Sequence, residues 1–353
     1  MPSTVEQHDT AIRRQIYLEG VKEGEIKKYE RFLKKVDKKL RLELSRENLT
    51  DFGRGRLNSQ LKTISTALTE IYTEWGDEFK EELAAIAVNA AEFEATTLEG
   101  VSRFEFASPS PAQITTAIYT RPLSVRGLDK GKLLAPLVKD FTITQNKHIV
   151  GAIRQGYFEG LTNAQIIQNL RGTKANNFKD GVLNVSRNHA AAIVRTSVQH
   201  AASEARFQVW DKHDDVIKGY KWVSTLDSRT TQVCRSLDGQ VFEMGKGPIP
   251  PIHIGCRSTT IAELADDLNW LQEGRTRASI LGNTKDQTYY EWLDKQPLDF
   301  QDDILGPKRG KLFRDGGISS SEFARLNLGR DFQPLTLEEM RAKDPLALKR
   351  AGI

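Results

Sequence analysis

Residues 227–257 read DSRTTQVCRSLDGQVFEMGKGPIPPIHIGCR, and the other segments of the chain are predicted to support this stretch. The chain has 353 residues and two cysteines, and both of these, Cys234 and Cys256, lie in this stretch. A histidine, His253, stands three positions before the second cysteine. A turn at Gly239 and a loop rich in proline and glycine at 245–251 separate the two cysteines. Candidate chemistry in this sequence is therefore concentrated in one short segment.

Strands are predicted on both sides of this stretch. The alternating and aromatic run 216–224 indicates one strand, and 240–242 and 258–261 indicate two shorter ones. Asp227 is placed to cap a short helix over 228–236, because its carboxylate can accept hydrogen bonds from the free amides of the first turn.

An alanine-rich helix precedes the strands, with Ser186 as its expected cap and an end near Asp211. Its small residues let a neighbouring backbone approach closely. We therefore predict an α+β unit, in which a small antiparallel sheet packs on this helix.

The first hundred residues predict long helices. After a break with two glycines at 51–55, an apolar stripe at helical spacing continues from Leu61 to Phe93. A stripe of roughly nine turns is typical of a helical hairpin or a coiled-coil-like arm. The sequence leaves open whether this stripe is buried against the same chain or against another one.

Charge is uneven along the chain, although the net charge is only +4. Between Lys27 and Glu43, eight basic residues stand against three acidic ones. Such a face can hold phosphate or an acidic partner, and the alternative is a solvated helix face with ion pairs. The eight are Lys27, Lys28, Arg31, Lys34, Lys35, Lys38, Lys39 and Arg41.

The pattern divides the chain into a helical arm (1–100), a connector (101–131), a mainly helical and then α+β domain (132–264) and an ordered C-terminal extension (265–353). The connector includes a short strand at 114–119.

Further helices are expected over 132–139, from about Thr142, and from a Thr162 cap to Gly172. Thr336 and Glu339 match a capping box near the C-terminus. The sequence contains no apolar run of membrane-spanning length and no signal-peptide core, and two cysteines do not make a disulfide scaffold.

Three interpretations of the cysteines and the histidine remain open. Cys234, His253 and Cys256 are good zinc ligands, but a closed structural site needs a fourth, and Ser258 at the obvious position is a poor one. A Cys234–Cys256 disulfide would close a loop of about twenty residues, worth ~3 kcal/mol in the chain-entropy model. The third interpretation is two buried, reduced cysteines.

Catalysis is the remaining alternative. His253 could activate Cys234 as a nucleophile if the two side chains come within hydrogen-bonding distance. Asp227 and His253, with Arg229 or Arg257, could instead form a metal-dependent nuclease centre. Neither set has the ordered spacing of a known catalytic signature.

The ordered set of motifs resembles the phage Mu F-like minor head proteins, also called phage head morphogenesis proteins. The resemblance covers roughly residues 140–340. Members often have another cysteine where this chain has Ser258, a departure that weakens the zinc interpretation. The motifs are Trp222-Val223-Ser224-Thr225, Asp227-x-Arg229-Thr230, Cys234-x-x-Leu237-Asp238-Gly239-x-Val241-Phe242 and Pro251-x-His253-x-x-Cys256-Arg257.

The resemblance implies a minor structural protein of a tailed-phage head, without an established catalytic activity. Its implied partners are the portal protein and other head proteins, and the basic face between Lys27 and Arg41 could contact packaged double-stranded DNA. It implies a place in the virion, inside the capsid or at the portal, after assembly in the host cytoplasm. Its implied roles are head assembly, DNA packaging and genome delivery.

Overall fold

Two long helices form an N-terminal hairpin. The computed structural model describes residues 5–45, 54–102, 104–126, 131–265, 276–280 and 282–353. Helix α1 covers Val5–Ser45 and α2 covers Arg54–Ser102. They run antiparallel, since Lys28 pairs with Glu82 at 2.6 Å and Lys35 pairs with Glu74 at 2.7 Å. The hairpin prediction is confirmed, and most of the predicted break at 51–55 lies outside the described residues.

The hairpin packs around a central helix, α6. The intervening helices are α3 (Pro111–Thr120), α4 (Leu134–Phe158) and α5 (Asn163–Arg171), and α6 covers Val182–Asp211. The alanine-rich stripe of α6 is fully buried, because its small side chains admit the neighbouring helices. One apolar core unites residues of α1 to α6, so the stripe of α2 is buried within its own chain.

Aromatic side chains fill the centre of this helical layer. The Tyr29 and Trp75 rings meet edge to face at 5.0 Å between centroids, and Phe141 packs against both. The Tyr29 hydroxyl lies 2.7 Å from the Ser186 hydroxyl. Ser186 is therefore a buried partner inside α6, and the prediction that it caps this helix was wrong.

The strand predicted at 114–119 was also wrong, because these residues lie in α3. Ser110 and Gln113 form a capping box in front of it, and Pro111 occupies the first helical position. These signals outweigh the β-propensity of the isoleucines and threonines that follow. Similarly, α4 is one continuous helix where two were expected, although the Thr162 cap and the end at Gly172 are confirmed.

The sheet has three antiparallel strands in the order β2-β1-β3. Strand β1 covers Ile217–Val223, β2 covers Val241–Glu243 and β3 covers Thr259–Leu264. Tyr220 is paired with Phe242 on one side and with Ala262 on the other. Together with the helices, this sheet confirms the predicted α+β fold.

A buried ion pair joins the hairpin to the sheet through α6. Arg206 donates to the Thr259 hydroxyl at 2.6 Å and to the Thr260 carbonyl at 2.9 Å. Its Nε lies 3.3 Å from a carboxylate oxygen of Glu94 in α2, and the other oxygen of Glu94 accepts from the Trp210 indole. Three layers of the fold therefore meet at one guanidinium group.

The C-terminal residues build a second core. A hairpin of β4 (Thr276–Ser279) and β5 (Gly282–Lys285) precedes six short helices. Thr336 and Glu339 form the predicted capping box at the start of the fifth of them. The helices are α8 (Tyr289–Leu293), α9 (Leu298–Leu305), α10 (Pro307–Asp315), α11 (Ser320–Leu326), α12 (Leu337–Lys343) and α13 (Pro345–Arg350).

This extension is held to the sheet by a second buried pair, Asp238 with Arg277. Asp238 accepts two hydrogen bonds from the guanidinium of Arg277, one from the Ser224 amide and one from the Tyr289 amide. Both side chains are almost fully buried. Within the described ranges, no helix combines the length and apolarity that a bilayer span requires.

A buried carboxyl on α6 gives the fold a pH dependence. Burial raises the pKa of Glu204 to about 7, which the Arg121 guanidinium, 3.7 Å away, only partly opposes. A raised pKa in the folded state means that stability is gained as the pH falls from about 7 towards 4.5, and lost as the pH rises.

We expect Glu204→Gln to raise the free energy of unfolding at pH 8 by on the order of 3 kcal/mol. Below pH 4.5 the advantage should vanish, because the wild-type carboxyl is then neutral in both states. Urea unfolding of both proteins across this range measures the difference. An advantage that did not change with pH would contradict the assignment.

Candidate functional site

The two cysteines and the histidine meet beside the sheet. Cys234 is the third residue of α7 (Gln232–Leu237), and His253 and Cys256 come from the loop between β2 and β3. The sulfur of Cys234 lies 3.1 Å from Nε2 of His253 and 3.8 Å from the sulfur of Cys256. The structure therefore brings together the three residues that the sequence singled out.

Hydrogen bonds fix the segments that carry these side chains. The Thr231 side chain caps α7 by accepting from the Cys234 amide. The loop is tied to α6, because the Gly255 amide donates to the Thr196 hydroxyl at 3.0 Å. Nδ1 of His253 lies 3.0 Å from the Ile254 carbonyl, so Nε2 is the nitrogen that faces the sulfurs.

The two buried thiols differ in how readily they ionise. Burial raises the pKa of Cys256, but hydrogen bonds from Cys234 and His253 more than offset this and hold it well below its ordinary value. Burial and the neighbouring Cys256 raise the pKa of Cys234 well above its ordinary value. Burial lowers the pKa of His253, but Cys256 more than compensates. The cluster thus favours one thiolate, on Cys256, before an ion is considered.

A small cleft opens onto the cluster. Its volume is about 20 Å³, which is room for one water molecule. Two arginines and two threonines line it together with Cys234 and His253, so a group in the cleft would be close to both sulfur and positive charge. The lining residues are Arg229, Thr230, Thr231, Cys234, His253, Gly255, Arg257 and Ser258.

Asp227 has a different role from the predicted one. It accepts hydrogen bonds from the amides of Arg229 at 3.0 Å and Thr230 at 3.1 Å, and so shapes the turn before α7. The cap of α7 is Thr231, and the helix begins at Gln232 rather than at 228. The prediction that Asp227 caps a helix over 228–236 was therefore wrong.

Both carboxylate oxygens of Asp227 are engaged by Arg257. The guanidinium donates to each oxygen at 2.8 Å. Burial raises the pKa of Asp227, but Arg257 more than offsets this and lowers it overall. A carboxylate held in this way is a poor metal ligand, and the predicted nuclease set of Asp227, His253 and Arg257 gains no support from the geometry.

Gly239 occupies the predicted turn. Its φ of +80° is in the left-handed region, and a Cβ there would come within 2.6 Å of the Thr288 methyl group. A side chain at position 239 would therefore adopt a strained backbone conformation and force Thr288 to shift.

The basic segment of α1 separates into paired and free residues. Among the eight, Lys28, Lys35, Lys39 and Arg41 form ion pairs. All three acidic residues of the segment are engaged, since Glu30 pairs with Arg187 of α6, Asp37 with Arg171 of α5 and Glu43 with Lys39. The remaining four are exposed and form no ion pair within the part of the chain that the structure describes: Lys27, Arg31, Lys34 and Lys38.

These four residues form one line, which we call the basic stripe. Their spacings of four, three and four residues place them on the same face of α1, over about 16 Å. The sequence alone predicted the basic segment but not the stripe. Which basic residues stay unpaired depends on Arg171 and Arg187, which lie more than a hundred residues away and bind acidic residues of the segment.

Sequence reasoning missed two residues next to the cluster. Lys22 is buried and donates to Glu19 at 2.6 Å and to Gln199 at 2.7 Å, and burial lowers its pKa. Ser258, considered only as a poor zinc ligand, lies in the same cleft as Cys234 and His253. A lysine on a helix with so many others gives no signal that it is buried.

Comparison with known proteins finds a match to a family model in the centre of the chain. Residues 147–261 match the family model described as "Phage Mu protein F like protein". The matched segment starts in α4, includes α6 and the cysteine–histidine cluster, and ends in β3. The resemblance noted from the motifs is therefore confirmed over these residues.

A similar protein of Haemophilus influenzae, described as an uncharacterized protein, is 27% identical over 176 residues. The alignment covers 47% of this chain and 36% of that protein, so the chain spans about a third of the length of this relative. No solved structure matches the chain significantly.

Proposed function

We propose that this protein is a minor structural component of a tailed-phage head, associated with the portal inside the capsid. Its tasks there would be to assist head assembly, DNA packaging or genome delivery. The observation that carries the proposal is the match of residues 147–261 to the Mu F-like family, over the same residues that contain the central helix and the cluster. We propose no catalytic activity.

The fold supports a structural role. The hairpin, the central helix and the sheet share one core, so the molecule offers long rigid helices as a surface for other proteins. Asp227 and Arg257, the charged pair of the motif, are committed to each other rather than to a substrate. Rigid helices and a charged pair whose two members bind each other suit assembly better than turnover.

The composition of phage heads tests this proposal. A phage that carries this gene should yield purified heads containing the protein in few copies, and detergent-solubilised heads should release it together with portal protein. Mass spectrometry of heads and of portal pull-downs makes both measurements. Absence from purified heads and from portal complexes would contradict the proposal.

Packaged DNA is a second candidate partner, favoured by the basic stripe. Four cations on one helical face can neutralise phosphates without reading base sequence. The acidic residues around them are already bound to other cations, so they do not screen the stripe.

We expect weak DNA binding whose logarithmic affinity falls with the logarithm of salt concentration with a slope of roughly −3 to −4, for four phosphate contacts. Changing Lys27, Arg31, Lys34 and Lys38 to glutamine should abolish it. Changing the paired Lys28, Lys35, Lys39 and Arg41 to glutamine is the matched control on the same helix and should reduce it less. Fluorescence anisotropy with duplex DNA measures both, and equal losses would contradict a role for the stripe.

A further inference from the structure

We propose that Cys234, His253 and Cys256 bind one zinc ion, with the fourth coordination position open to the small cleft beside them. The inference does not depend on the proposed role in a phage head. It starts from the three ligand atoms, which all lie within 4.8 Å of one another.

The distance between the sulfurs fits a tetrahedral ion. Zinc binds cysteine sulfur at about 2.3 Å, and two such ligands at a tetrahedral angle lie about 3.8 Å apart. The Cys234 and Cys256 sulfurs are 3.8 Å apart. The Cys234 sulfur and Nε2 of His253 are 3.1 Å apart, somewhat less than the roughly 3.6 Å between a sulfur and a nitrogen bound to one tetrahedral zinc, so zinc binding requires a small movement of the ring.

The donor set selects zinc over harder cations. Two thiolates and one imidazole suit zinc, whereas calcium and magnesium prefer oxygen ligands. The Ile254 carbonyl orients the His253 ring by binding Nδ1, the arrangement that usually accompanies a metal-binding histidine. A bound zinc ion would also neutralise the negative charge that the two buried sulfurs carry once they have lost their protons.

A disulfide fits the same atoms less well. A disulfide bond is about 2.05 Å long, so the sulfurs would have to approach by nearly 2 Å. The loop that carries Cys256 resists this movement, because Gly255 is bonded to Thr196 on α6. A disulfide would also remove the Cys234 thiol as the hydrogen-bond partner of Nε2 of His253.

The cleft supplies the fourth position. It is large enough for one water molecule, and Ser258 is part of its wall. Zinc held by three protein ligands commonly takes a water molecule as its fourth. A cysteine at position 258 would offer a sulfur at that position and close the site.

The ion would join two separate segments of the α+β unit. Cys234 is on α7, whereas His253 and Cys256 are on the loop that leads to β3. Among the described residues, a small apolar cluster that includes Trp222, Leu237 and Ile252 surrounds the sulfurs, and the ion would add a bond from each segment to the same centre. We therefore expect zinc to stabilise the folded module.

Native mass spectrometry of the full chain, purified without chelator and reloaded with zinc chloride, tests the inference. The expected result is one zinc per wild-type chain. His253→Ala should weaken zinc binding by more than about 100-fold, because loss of even an outer partner costs 10- to 100-fold. His148→Ala removes an exposed histidine on α4 and should bind zinc as the wild type does.

Two further measurements keep the test valid if a variant misfolds. Zinc should raise the melting temperature of the wild type, and a chelator should reverse the change. Ser258→Cys should retain zinc at chelator concentrations that strip the wild type, and unchanged retention would overturn the open position at the cleft. Wild-type protein that binds no zinc, or that is lighter by the two hydrogens of a disulfide, would overturn the inference as a whole.

Discussion

Asp238→Ala should lower the free energy of unfolding by about 3–5 kcal/mol, because it leaves the buried guanidinium of Arg277 without its counter-charge. The carboxylate also accepts from the amides of Ser224 and Tyr289, which would both lose their partner. The loss should separate the C-terminal extension from the sheet. Urea unfolding monitored by circular dichroism gives the magnitude.

Asp77→Ala is the control for this variant. Asp77 pairs with Lys80 at 2.6 Å on the surface of α2, where water screens the charges, so its loss should cost less than about 1 kcal/mol. If Asp238→Ala were as mild as Asp77→Ala, the buried pair would not be what anchors the extension.

Arg206→Met should have an effect of similar size, about 3–5 kcal/mol, for a related reason. It leaves the carboxylate of Glu94 buried in α2 without the guanidinium that compensates it. Burial already raises the pKa of Glu94, and the loss of Arg206 would raise it further. The variant also removes the hydrogen bonds from α6 to Thr259 and Thr260 of β3.

A matched control lies on the same helix. Arg195 pairs with Glu23 on the surface, with both side chains about half exposed, so Arg195→Met should be nearly neutral. The double variant Glu94→Gln, Arg206→Met should lose less than the sum of its two single variants, because no charge is left buried alone. Additive losses in urea unfolding would show that the two residues act separately.

The sequence predicted those parts of the fold that local signals determine. Thr162 and Thr336 cap helices as expected, because a capping box is complete within four residues. The sheet was predicted from alternation and turns. Residues 114–119 are helical although their β-branched residues favour a strand, because the capping box at Ser110 starts a helix in front of them.

The sequence predicted which residues form the candidate site, but not the contacts of the residues around it. Cys234, His253 and Cys256 are the rare residue types of one short segment, so their proximity could be expected. Arg277, by contrast, reaches Asp238 across 39 positions in sequence, and no periodicity connects them. The same limit applies to the basic stripe, whose definition depends on Arg171 and Arg187 binding acidic residues of α1.

Hydrogen exchange followed by mass spectrometry on the intact protein tests most directly whether the helical hairpin and the sheet module fold as one unit. The shared core around α6 predicts that the central amides of α2 and of α6 are protected to the same extent and open together in the global unfolding reaction. Exchange of α1 and α2 at rates far above those of α6 would contradict this, and would show that the hairpin is an independent arm.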